Sequence, residues 1–150
     1  DNVYVKIPIT NTEGVSQASL IRWLWKEHNI KVNVTAIMTE GQIAGLANNL
    51  SAKTPMILSI FAGRIADTGV NPEITVAYCK MRFGNLKNVK ILWASTRELY
   101  NIKQAEQAGA DIITVTPDIL GKMHLIGKDL AQYSLETVQM FYNDGKEIKL

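Results

Sequence analysis

Val3-Tyr4-Val5-Lys6-Ile7-Pro8-Ile9 sets a lysine in the middle of an otherwise apolar strand. Alternate residues of a strand face opposite sides. Val3, Val5, Ile7 and Ile9 therefore share one face, and Tyr4 and Lys6 share the other. Four later segments repeat this division. Val32, Val34 and Ala36 oppose Asn33 and Thr35. Leu58 and Ile60 oppose Ser59 and Phe61. Leu92 and Ala94 oppose Trp93 and Ser95. Ile113 and Val115 oppose Thr114 and Thr116. A doubly wound sheet is covered by helices on both faces and wants both apolar. A barrel has an aliphatic outside beneath its helices, while its inside can become a polar pocket near the top. The repeated asymmetry points to a barrel.

Working outward, five strands are expected at Val3–Ile9, Val32–Ile37, Met56–Ala62, Lys90–Ser95 and Ile112–Thr116, each a short Val/Ile/Leu-rich run. Amphipathic segments follow each of them, at Glu13–His28, Glu40–Leu50, Pro72–Phe83, Arg97–Ala108 and Asp118–Leu130. Pro72 suits a first helical turn and Gly109 suits a C-terminal cap. A last helix runs from Leu135 to about Asn143, and its stripe of Leu135, Val138 and Phe141 or Tyr142 calls for burial. Strands alternating with helices at this spacing are βαβ units on a parallel sheet. The expected fold is α/β: a partial (β/α)₈ TIM barrel of five βα units plus a C-terminal helix. Length alone suits a five-stranded doubly wound domain, since a whole barrel takes roughly 250 residues. The strand contents outweigh that. The first residues already read as a buried strand, so residues 1–150 are expected to form the C-terminal portion of a single barrel domain cut from something longer.

Composition excludes several classes. The chain is 47% hydrophobic and 20% charged, as in ordinary globular proteins. A net charge of +2, with scattered Lys and Arg, gives no footprint for nucleic acid. No apolar run reaches the roughly 18 residues of a membrane span, and no signal peptide is expected. Cys79 is alone, so an internal disulfide is impossible and a reducing cytoplasm is the simplest compartment. His28 and His124 lack companions at metal spacing. Neither a P-loop nor G-x-G-x-x-G occurs. No metal or cofactor is expected.

Lys6 carries the chemistry. Burial lowers a lysine pKa. From an ordinary value near 10.4, desolvation can bring it to roughly 7–8, where the amine is nucleophilic. The alternative is a lysine snorkelling at a strand end or paired with a carboxylate. Arg64 and Arg97 follow the third and fourth strands, where barrel sites lie. Such a pair can fork onto a phosphate, or each can be a solvated loop residue.

The ordered motifs resemble those of the transaldolase and fructose-6-phosphate aldolase family. Val5-Lys6-Ile7-Pro8-Ile9-Thr10 with Thr12-Glu13-Gly14 is similar to its Schiff-base strand. Asn33-Val34-Thr35, Gln42-Ile43-Ala44, the run Ser59-Ile60-Phe61-Ala62-Gly63-Arg64-Ile65-Ala66-Asp67 and Ala94-Ser95-Thr96-Arg97 follow in the family's order. The resemblance covers nearly the whole chain. It implies that Lys6 forms the Schiff base with a sugar phosphate and that Thr35 holds the catalytic water. It implies that Asn33 and Ser59 bind substrate hydroxyls, and that Arg64, Ser95 and Arg97 bind phosphate. Phe61 stands where transaldolases usually carry Phe and the aldolase branch Tyr, which favours transfer of a dihydroxyacetone unit, the pentose-phosphate reaction, over simple aldol cleavage.

Ile60 and Thr96 depart from the usual Pro and Phe without removing a functional group. A catalytic Asp and Glu that the family carries on earlier strands have no counterpart here. The alternatives are an aldolase of the fructose-6-phosphate type, an inactive fragment, another Schiff-base barrel, or a doubly wound binding module. A homo-oligomer is expected for the full-length protein.

Overall fold

The computed structural model describes residues 3–50 and 53–146. They divide into two compact units, Asp1–Thr116 and Pro117–Leu150.

The first unit holds a five-stranded, all-parallel sheet. Its strands are β1 (Val5–Pro8), β2 (Val32–Ile37), β3 (Met56–Ile60), β4 (Val89–Trp93) and β5 (Ile112–Ile113), ordered β1-β2-β3-β4-β5. A doubly wound sheet reverses direction at a switch point and breaks sequential order. This sheet has no reversal, and helices alternate with its strands, so the architecture is that of a partial (β/α)₈ barrel.

Register sorts the two faces. Val34 pairs with Leu58, Leu58 with Ile91, and Ile60 with both Ile37 and Trp93. These residues belong to one buried cluster with Ile21, Ile43, Leu46, Val76 and Cys79 from the helices. Removing such a side chain, as in Leu58→Ala, costs about 2–5 kcal/mol. The opposite face carries Lys6, Asn33, Ile57 and Ser59. The division holds along β1, β2 and β3 and is inverted in β4. Trp93 lies in the helix-side core, fully buried, while Leu92 pairs with Ser59 on the polar face. An indole supplies more apolar surface than the core could forgo. Its Nε1–H finds no hydrogen-bond partner among the described residues, and that orphan donor is outweighed by the burial.

The helices of this unit are α1 (Ala18–His28), α2 (Glu40–Asn49), α3 (Ala62–Ala66), α4 (Pro72–Phe83) and α5 (Asn101–Gln107). α2 and α4 follow the expected bounds closely, because each carries a strong start signal. Thr39 and Gln42 form a capping box. The Asn71 side chain accepts from the Glu73 N–H ahead of Pro72. α1 starts later than expected. The Asn11 side chain accepts from the N–H groups of Glu13 and Val15, and Gly14 takes a left-handed φ of 79°, so this stretch becomes a turn. α5 also starts late. Asn101 Oδ1 accepts from the N–H groups of Arg97 and Glu98, diverting them from a helix. β5 is only two residues long, and Asp111 ties its start to β4 by accepting from Ile91 N–H at 2.8 Å.

The second unit corrects the expected helix at Asp118–Leu130. It contains α6 (Pro117–Leu120), a 3-10 turn at Met123–Leu125 and α7 (Leu130–Gly145). Gly127, at a left-handed φ of 80°, interrupts the helical path, and Asp129 caps α7 by accepting from Gln132 N–H. The stripe expected to be buried is exposed throughout: Leu135, Val138, Phe141 and Tyr142 all face solvent.

Candidate active site

The residues singled out by sequence lie in the strands and at their C-terminal ends. Lys6 and Asn33 are register partners on β1 and β2, and Pro8 is the partner of Thr35. On β3, Ser59 donates its hydroxyl to Asn33 Oδ1 at 2.7 Å. Lys6, Asn33 and Ser59 therefore lie across three neighbouring strands on one face. Ser59 is 2% exposed. Its bond spends the lone pair of one amide oxygen and leaves the Asn33 amide N–H groups to orient toward a guest.

Lys6 departs from expectation. It is exposed, whereas its mid-strand position called for burial. β1 is an edge strand of the sheet, so only β2 flanks it, and a lysine there reaches water.

At the end of β2 the backbone breaks pattern. Register shifts between Val34 and Ile37, and Ala36 takes a left-handed φ of 60°. Such strain in a non-glycine residue costs about 1–3 kcal/mol and tends to collect at functional sites. Thr35 is 7% exposed, and its Oγ1 has no hydrogen-bond partner among the described residues. A buried hydroxyl in that state is suited to hold a water or a substrate oxygen. Gln42 serves structure: its Oε1 accepts from the N–H groups of Met38 and Thr39, closing the loop after β2.

Phe61 starts α3, and the Arg64 guanidinium lies 5.6 Å from its ring centroid. Arg64 is exposed and borders a cleft of about 440 Å³ with Met38, Glu40 and Thr68. A larger cleft, about 640 Å³, runs along α1 at Ser19, Arg22 and Trp23. It contains none of the strand-end residues.

Ser95, Thr96 and Arg97 form the loop after β4. Ser95 takes a left-handed φ of 66°. Its carbonyl oxygen packs so closely on Gly63 that a Cβ there would lie 1.6 Å away. Gly63 is thus required by close approach of the first turn of α3 to the loop after β4, which brings the Arg64 and Arg97 backbones together. The Arg97 side chain is engaged by Asp67, with Nη2 donating to Oδ2 at 2.7 Å. About half of each side chain is exposed, so this pair contributes little to stability. Thr96, where the motif usually carries Phe, donates its hydroxyl to the Thr114 carbonyl at 2.6 Å and anchors the loop to the chain after β5.

Sequence reasoning assigned no role to Asp67, Gly63, Thr96 or Asn101. Asp67 sits four residues after Gly63, and Asn101 four after Arg97. Both spacings signal one helical turn; Asn101 finds its partners locally in Arg97, Glu98 and Gln104, while the partner of Asp67, Arg97, lies 30 positions away and leaves no mark in sequence. Among the described residues no group of His, Cys, Asp and Glu is arranged to hold a metal. No helix among them is long and apolar enough to cross a membrane.

Comparison with known proteins agrees with this arrangement. The model of the transaldolase/fructose-6-phosphate aldolase family matches residues 1–149. A probable transaldolase of Nitrosopumilus maritimus is 32% identical over 151 residues, covering 99% of this chain and 62% of that protein. One from Caldicellulosiruptor saccharolyticus is 36% identical over 124 residues, 81% of this chain and 53% of that protein. One from Maricaulis maris is 36% identical over 122 residues, 80% and 52% respectively. The chain spans between about half and three-fifths of the length of these relatives. With the motifs in order, a sequential parallel sheet, and a match over nearly every residue, the chain belongs to the transaldolase/fructose-6-phosphate aldolase family.

Proposed function

We propose that the protein carrying this chain transfers a dihydroxyacetone unit between sugar phosphates through a Schiff base at Lys6. The observation that carries this reading is the placement of Lys6, Asn33 and Ser59 on one face of three adjacent strands, with the Ser59–Asn33 bond locking the pair.

The uncharged Lys6 amine attacks the ketose carbonyl carbon, giving a carbinolamine that loses water to form the imine. The iminium nitrogen accepts the electron pair released when the bond between the third and fourth carbons breaks. The aldehyde departs, and the remaining enamine attacks an acceptor aldehyde. Hydrolysis of the new imine frees Lys6. Asn33 and Ser59 hold substrate hydroxyls, and Thr35 Oγ1 holds the water taken up and released. Ser95, Arg64 and Arg97 bind the phosphate, Arg97 by exchanging Asp67 for it. Phe61 supports transfer over simple cleavage. Proton transfer falls to carboxylates outside these residues. In this reading residues 1–150 form the C-terminal portion of one barrel domain of a cytoplasmic enzyme, and the apolar stripe of α7 joins subunits of a homo-oligomer.

Incubation of the whole protein with fructose 6-phosphate and borohydride tests the proposal. Mass should be added to the peptide containing Lys6, and Lys6→Arg should abolish both trapping and turnover, because a guanidinium stays charged and forms no imine. An adduct on another lysine, or none, overturns it.

A further inference from the structure

We propose that Asn101 is a positioning residue for the phosphate-binding loop, acting through a chain of side-chain hydrogen bonds that ends on α4. The inference rests on the phosphate role assigned above to Ser95 and Arg97.

Asn101 is 7% exposed, although it is polar and stands at the start of α5. Both the oxygen and the nitrogen of its amide are used. Oδ1 accepts from Arg97 N–H at 2.8 Å and from Glu98 N–H at 3.1 Å. Nδ2 donates to Gln104 Oε1 at 2.8 Å. The Gln104 amide then donates to Glu73 Oε1 at 2.9 Å. Glu73 belongs to the first turn of α4, where a carboxylate is favoured by the helix dipole. Each link fixes the orientation of the next. The Glu73 carboxylate can only accept, so the Gln104 amide must present its N–H₂ to it. Its oxygen therefore faces Asn101, which turns the Asn101 N–H₂ toward Gln104 and its oxygen toward the loop. The chain delivers an acceptor to the Arg97 and Glu98 N–H groups and holds that backbone in place.

The loop needs such support. Ser95 holds a left-handed φ of 66°, a conformation that persists only where surroundings over-determine it. The other restraints act elsewhere. Gly63 packs on the Ser95 carbonyl, Thr96 bonds Thr114, and Asp67 holds the Arg97 guanidinium. In the reading above Arg97 exchanges Asp67 for the phosphate, so that side-chain restraint is lost on binding. The Asn101 bonds engage only backbone N–H groups and persist in both states. They keep the ordering of the loop from being charged to substrate affinity.

The test is steady-state kinetics on the whole protein, with fructose 6-phosphate and unphosphorylated fructose as donors and Arg97→Ala as reference. Asn101→Ala should raise KM for fructose 6-phosphate about three- to tenfold. The kcat values and the kinetics with fructose should change much less. Asn101→Asp should restore only part of the loss, because its carboxylate still accepts from both N–H groups but cannot donate to Gln104 and adds a negative charge beside the loop. Equal loss with both donors assigns Asn101 a merely structural role and overturns the inference. So does an unchanged KM for fructose 6-phosphate where Arg97→Ala raises it. If Arg97→Ala itself treats the two donors alike, the phosphate reading fails first, and the inference falls with it. Should Asn101→Ala not fold, Gln104→Ala cuts the chain one link further out. It should give the same split at smaller size, and an equal effect on both donors overturns the inference there too.

Discussion

Gly63→Ala probes the loop contact most directly. The added Cβ would lie 1.6 Å from the Ser95 carbonyl oxygen, 2.8 Å from its carbon and 3.1 Å from Arg97 Cγ. Real Cβ contacts do not fall below 3.0 Å, so the two segments must part by about 1.4 Å along that line. The neighbour is backbone and cannot swing aside. The loop is also tied by Thr96 to Thr114 and by Arg97 N–H to Asn101. Overpacking of this kind costs about 1–3 kcal/mol, and each hydrogen bond stretched beyond reach adds about 1. A loss of roughly 2–5 kcal/mol follows, which for a domain of this size lowers Tm by about 4–20 °C. The same displacement separates Arg64 from Arg97, so affinity for inorganic phosphate should fall in parallel. Gly45→Ala is the control. It lies within α2, and nothing stands within 4 Å of its Cβ position. It should be neutral or stabilise by up to about 1 kcal/mol. Thermal melts and phosphate titrations of both variants decide the matter. Wild-type stability and affinity in Gly63→Ala would refute the argument that the two segments touch there.

Three further outcomes are expected. Burial, joined by the charge of Asp111 and opposed by that of Lys80, pushes the Cys79 thiol up to about 12. The folded state therefore keeps its proton where the unfolded chain loses it above about 9. Stability should be unaffected below that pH and decline between about 9 and 12. Alkaline melts of Cys79→Ala should show a flatter decline, and an equal slope would assign the effect to other groups. Deleting residues from Ser134 onward removes the exposed Leu135, Val138, Phe141 and Tyr142. In the whole protein this should reduce oligomer size on a sizing column, and an unchanged size would show that α7 serves its own barrel. A polypeptide of residues 1–150 alone should show no turnover above background. Its Lys6 stands exposed, and the carboxylates that the proposed function places outside these residues would contribute roughly 10²–10⁴-fold through proton transfer. Robust activity would place the proton-transfer groups within these residues.

Much of the architecture was legible in the residues because it rests on periodicity. Alternation in β1, β2 and β3 separated a helix-covered face from one bearing Lys6, Asn33 and Ser59. Local signals bounded α2 and α4, since a capping box and an Asn-Pro start act within a single turn. The motif order identified the family, and the match over residues 1–149 agrees. What the sequence could not decide depends on groups distant along the chain. The face taken by Trp93 was set by the space the core offered, so alternation misread β4. The exposure of Lys6 goes with the place of β1 at the edge of the described sheet, where only β2 lies beside it, and composition does not record that place. The Asp67–Arg97 pair spans 30 positions and the Gln104–Glu73 bond 31. No local pattern encodes contacts of that range. They exist because parallel strands joined by helices return successive loops to the same end of the sheet, and only there do these side chains meet.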